Sequence, residues 1–77
     1  MYKEDKEFRI RTYSKKELAL RYFPDANDPH TAVNHLNAWI RRCKPLVEKL
    51  AESGYYKTAR YFSPLQVREI VYYLGEP

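Results

Sequence analysis

Glycine is scarce in this chain, with only Gly54 and Gly75 among 77 residues. That scarcity excludes a glycine-rich phosphate loop, which needs several glycines close together so that backbone amides can wrap an anion. Cysteine is scarcer still. Cys43 stands alone, which excludes an intrachain disulfide and fits a reducing cytoplasm. No apolar run approaches the roughly 18 residues that span a bilayer, so no membrane role is expected. The opening MYKEDKEFRIRTY is charged where a secretion signal would be apolar, which also points to a cytoplasmic location.

The inventory for catalysis is equally thin. A nucleophile–base pair would have to join Cys43 to His30 or His35. Cys43, however, falls on the apolar stripe of a helix, where a thiol away from positive charge is inert. The two histidines are five residues apart, on different sides of that helix, so they do not form a metal pair one turn apart. The expectation is therefore a domain with no enzyme activity, no cofactor and no metal.

What the chain does contain is enough apolar surface for one small core. Hydrophobic residues make up 44% of the sequence, ordinary for a globular protein, and the length leaves no room for a second core. Residues 1–7 have nothing to bury and are expected to form a flexible, mixed-charge lead-in to one domain over residues 8–77. The formal net charge is +4, and its placement is uneven: residues 1–28 carry +1, residues 29–60 carry +4 and residues 61–77 carry −1. A basic patch in the middle of the chain attracts phosphate backbones through Coulomb steering and counterion release.

Start and stop signals divide the chain into elements. Phe8 to Tyr13 begins with apolar–polar alternation, as in a short half-buried strand. Ser14-Lys15-Lys16-Glu17 reads as a capping box opening a first helix that ends before Pro24. Asp28-Pro29 sets an N-cap carboxylate before a proline at the first helical position. The second helix, 29–43, follows. It shows the clearest 3.6-residue stripe, with Ala32, Val33, Leu36, Trp39, Ile40 and Cys43 expected inward. Pro45 opens a short third helix, with Leu46, Val47 and Leu50 inward and Gly54 beyond its end. Tyr55 to Phe62 is aromatic and β-prone. Ser63-Pro64 opens a last helix with Val67, Ile70, Val71 and Leu74 inward, closed by Gly75. The expected fold is mainly α: three to four helices with a short two-stranded β element.

The second helix is the functional candidate. Opposite Leu36 it presents Thr31, Asn34, Ala38 and Arg41, with Asn37 and His30 on one flank and His35 and Arg42 on the other. Asparagine can pair two ways with adenine, and arginine binds guanine or phosphate. Joined to the first helix by the short PDAND turn, it has the form of a helix-turn-helix reading helix. The segment after the third helix would be a wing, with Lys57 and Arg60 over neighbouring phosphates. Tyr55, Tyr56 and Tyr61 either pack the core or donate hydroxyls to phosphate.

Tyr13-Ser14-Lys15-Lys16-Glu17-Leu18-Ala19, Leu36, Trp39-Ile40 and Arg60-Tyr61-Phe62-Ser63-Pro64-Leu65-Gln66-Val67 together resemble the winged helix-turn-helix domain of MerR-type regulators and phage excisionases. The resemblance covers residues 10–74. It implies a small transcriptional regulator or an architectural factor of a mobile element, with double-stranded DNA as partner. The effector domain and long dimerising helix of MerR-type proteins are not among these residues, so regulatory input and dimer mode do not carry over. The fuller string, including Ala32-Val33-Asn34-His35-Leu36 and Tyr73-Leu74-Gly75-Glu76-Pro77, is also similar to a family of short Bacteroides proteins, which implies no activity. The expected DNA-binding residues are Thr31, Asn34, Asn37, Arg41, Arg42, Lys44, Lys57 and Arg60. The alternative is a protein–protein adaptor that binds a partner or a second copy through its tyrosine-rich surface, Tyr72 and Tyr73 included.

Overall fold

Proline and a capping side chain together decide where two of the helices begin. The computed structural model describes residues 8–56 and 58–77. The elements run β1 (Tyr13–Ser14), α1 (Lys15–Tyr22), α2 (Pro29–Arg42), α3 (Lys44–Glu52), β2 (Tyr61–Phe62) and α4 (Pro64–Leu74). At α2 the Asp28 carboxylate accepts the Thr31 amide at 2.7 Å, with Pro29 in the first turn. This satisfies one of the four amides a helix start leaves without partners. The proposed lead-in, residues 1–7, lies outside the described residues.

The two strands pair antiparallel, with Tyr13 opposite Phe62 and Ser14 opposite Tyr61. Both Tyr13 and Phe62 are fully buried. This short seam joins the α1–α2 hairpin to α3 and α4, and α1 packs most extensively on α2. The core between them is filled by Leu18, Ala19, Ala32, Leu36, Ile40, Leu46, Leu50, Val67 and Ile70. Among the described residues the architecture is mainly helical, with four helices and a two-stranded sheet, as the periodicity predicts.

The strands are shorter than the alternation predicts. Over residues 8–13, the Phe8 ring stacks on Tyr13 at 5.3 Å and the Tyr13 hydroxyl donates to the Arg9 carbonyl. Contacts between residues four and five apart curl this segment, and Ile10 is left exposed. In the aromatic stretch, the Tyr55 amide closes α3 on the Leu50 carbonyl and the Ala59 amide turns back to Tyr56. Only Tyr61 and Phe62 are left to pair.

The carboxylate of the capping box at Ser14 is shared. The Glu17 amide donates to Ser14 Oγ, and the Glu17 carboxylate accepts from Arg11 at 2.7 Å while also facing the Ser14 backbone amide, contacts that hold its pKa below the ordinary value. The reciprocal box occurs at Ser63 and Gln66, where each residue accepts from the other's amide.

Six apolar positions are less buried than the stripes suggest, and of these Val33, Val71 and Leu74 are half-buried against the core. Val47 is exposed. Cys43 is half-buried at the joint where α2 ends and α3 begins. Trp39 is 39% exposed, because Ala32, Leu36 and Ile40 fill the centre of the stripe and leave the indole on its flank. There it packs edge-on against Phe23 at 4.7 Å and Tyr22 at 6.1 Å. Trp39→Ala should therefore cost about 1–3 kcal/mol, less than the loss of a fully buried aromatic. Urea unfolding of the variant measures this, and a loss above that range would mean the flank is packed as tightly as the core.

The end of α4 is tied back to α1. The Tyr22 hydroxyl donates to the Gly75 carbonyl, and burial together with nearby Glu76 pushes its pKa up to about 12. The ordinary value is near 10. Since the folded pKa is the higher one, this contribution is complete below about pH 10 and is lost as pH rises towards 12. Tyr22→Phe should lower stability at neutral pH by about 0.5–1.5 kcal/mol through the missing hydrogen bond. It should also flatten the alkaline decline relative to wild type. Denaturant titrations at pH 8 to 11 compare the two, and parallel curves would show that this hydroxyl carries no pH dependence.

Candidate nucleic-acid interface

Because Ala32, Leu36 and Ile40 turn inward, helical periodicity sends the opposite side of α2 to solvent. Asn34 and Arg41 are exposed there, with Thr31 and Asn37 half-buried beside them. Arg42 at the end of α2 and Lys44 at the start of α3 are both exposed. No acidic residue occurs anywhere in α2. Thr31 also serves the helix start. Its backbone amide, then its side chain, hydrogen-bond Asp28 and hold that carboxyl below its ordinary range.

Arg60 lies elsewhere. Its carbonyl accepts the Lys15 amide at 2.8 Å, which fixes the approach to β2 over the first turn of α1. Arg60 is thereby brought to the N-terminal end of α2, away from Arg41, Arg42 and Lys44. Lys57 lies outside the described residues. Around Arg60 is an open groove of about 540 Å³, lined by Lys15, Lys16, His30, Val33, Arg60 and Tyr61 among others. Lys15 sits with Nζ 5.0 Å from the centre of the Tyr55 ring, and burial lowers its pKa. Among the described residues, no carboxylate pairs with Lys16, Arg41, Arg42, Lys44 or Arg60.

Lys15, Lys16 and His30 were not among the expected binding residues. A local signal for the lysines does exist in the sequence. Two cations in the first turn of a helix oppose its dipole, which favours acidic residues there. A departure from a local rule is expected at functional or strained sites.

A second concavity, about 320 Å³, lies between α2 and α3 and is floored by Ile40, Val47, Leu50 and Tyr55. Asn37 and Arg41 stand at its edge. On α4, Tyr72 is 80% exposed and meets the half-buried Tyr73 edge-on at 5.0 Å. Among the described residues, no group of three or more His, Cys, Asp or Glu side chains is placed to hold a metal ion. Nor is any helix among them long and apolar enough to cross a membrane.

Neither the curated proteins nor the solved structures contain a match to this chain. Over residues 9–77, which hold every helix, both strands and all the exposed cations described above, the chain matches a known family. It belongs to the family described as Domain of unknown function (DUF4248).

Proposed function

We propose that this domain binds double-stranded DNA in the cytoplasm, with α2 in the major groove, as a small transcriptional regulator or an excisionase-like architectural factor. The observation that carries this reading is the outer side of α2. It exposes Asn34 and Arg41, is followed in sequence by exposed Arg42 and Lys44, and has no acidic residue to repel phosphate. An amide that reads a base edge, followed by cations that hold the backbone, is the division of labour a major-groove helix requires. In this reading α1, the turn and α2 form a helix-turn-helix, and the segment leading to β2 is its wing.

Selection from a random duplex pool at low salt, followed by titration of wild type and Asn34→Ala, tests the proposal. Asn34→Ala should relax preference at one base position by about 1–3 kcal/mol while leaving affinity for unselected duplex nearly unchanged. Wild-type protein that binds no duplex at low salt would remove the proposal. That outcome would favour a protein adaptor, the reading supported by the apolar floor between α2 and α3 and by exposed Tyr72.

A further inference from the structure

Cations stand at both ends of α2; Arg41 and Arg42 belong to the helix itself, while Lys15, Lys16, Lys44 and Arg60 come from neighbouring segments. At the C-terminal end are Arg41, Arg42 and Lys44, all exposed. At the N-terminal end, Lys15, Lys16 and Arg60 converge with His30 on the open groove. They come from α1 and from the approach to β2, brought together by the Lys15–Arg60 backbone hydrogen bond and the seam of Tyr13–Ser14 with Tyr61–Phe62. His30 and Arg41 are separated by eleven positions in α2, which at 1.5 Å per residue is about 16 Å along the axis. The major groove of B-DNA is about 12 Å wide. The two cation groups are thus spaced to reach the phosphates on its two sides.

We infer that the groove formed by Lys15, Lys16, His30 and Arg60 is a seat for backbone phosphate, and that together with Arg41, Arg42 and Lys44 it holds α2 across the major groove from one strand to the other. This rests on the DNA-binding reading and refines it. With both ends held, the helix axis crosses the groove, and the side chains that face base edges are those between the ends, Asn34 and Asn37. Arg41 contacts phosphate, not a base. Tyr61, 62% exposed at the groove, is placed to add a hydroxyl donor to the same strand. Val33 gives the floor an apolar surface against which the sugar can rest.

The test uses the full chain on a duplex selected by the wild-type protein. Two variants are compared: Lys16→Gln with Arg60→Gln, and Arg41→Gln with Arg42→Gln and Lys44→Gln. All five side chains are exposed, so both variants should melt near the wild-type temperature. Each neutralised phosphate contact should lower the slope of log K against log salt by about 0.9, giving losses of about two and about three. Phosphate ethylation interference on wild type should show two sets of phosphates, on opposite strands on either side of one major groove. The Lys16/Arg60 variant should lose one set and the Arg41/Arg42/Lys44 variant the other. One set only, or a Lys16/Arg60 variant with the wild-type slope and pattern, would overturn the inference and leave DNA binding standing. Absence of wild-type binding to any duplex would overturn both.

Discussion

Phe62→Ala is expected to remove a large share of the protein's stability. Phe62 is fully buried, stacks on Tyr55 at 5.2 Å and faces buried Tyr13 across the strand pair. Removing a buried aromatic ring costs about 3–5 kcal/mol, through lost transfer energy and the cavity left behind. A domain of 77 residues at about 0.05–0.15 kcal/mol per residue holds only roughly 4–12 kcal/mol in total. The seam is two residues long, so no neighbouring strand pairs can absorb the loss. Far-UV circular dichroism with urea titration should show a transition moved to much lower denaturant, with Phe62→Leu intermediate. A change below about 1 kcal/mol in the alanine variant would mean that the ring is not a structural centre.

The second large effect is expected at a polar side chain. Gln66 is 6% exposed and makes two side-chain hydrogen bonds. Its Oε1 accepts the Ser63 amide at 2.9 Å, and its Nε2 donates to the Ser53 carbonyl at 3.1 Å. One side chain thus closes the start of α4 and fastens it to the end of α3. Gln66→Leu keeps nearly the same volume but strands a donor and an acceptor in a part-buried setting. At about 1–3 kcal/mol for each such group, with some regained by water at the edge, the expected loss is about 2–4 kcal/mol. Gln66→Glu retains the acceptor for the Ser63 amide and loses the donor, so it should lie about halfway. Urea midpoints order the three proteins. A leucine variant as stable as wild type would show that solvent satisfies both groups.

These two sites also mark what local sequence can and cannot disclose. The helix starts at Asp28-Pro29 and Ser63-Pro64 are legible because cap and proline act within four residues. The α2 stripe is legible because Ala32, Leu36 and Ile40 repeat at helical spacing. Strand length is not legible from alternation: residues 8–11 alternate, yet stacking of Phe8 on Tyr13 curls them. The box at Ser14 is similar, because pattern alone cannot show that Arg11 shares the Glu17 carboxylate. Trp39 has the spacing of a core residue but sits at the stripe's edge, where burial depends on what Phe23 covers. For the candidate site, the side of α2 with Asn34 and Arg41 follows from periodicity. The meeting of Lys15, Lys16 and His30 with Arg60 does not, since it depends on strands paired across most of the chain.

The Lys15–Arg60 hydrogen bond makes one short stretch of backbone serve both as part of the scaffold and as the mount of the basic groove. Random mutagenesis scored by loss of activity will therefore return alleles at Tyr13 and Phe62 as readily as at Arg60, and a map of such alleles will not outline a contact surface. Temperature sorts them. Alleles that loosen the seam should regain activity in the cold or in a stabilising osmolyte, which favours the compact state, whereas an allele that removes a cation should stay defective under both.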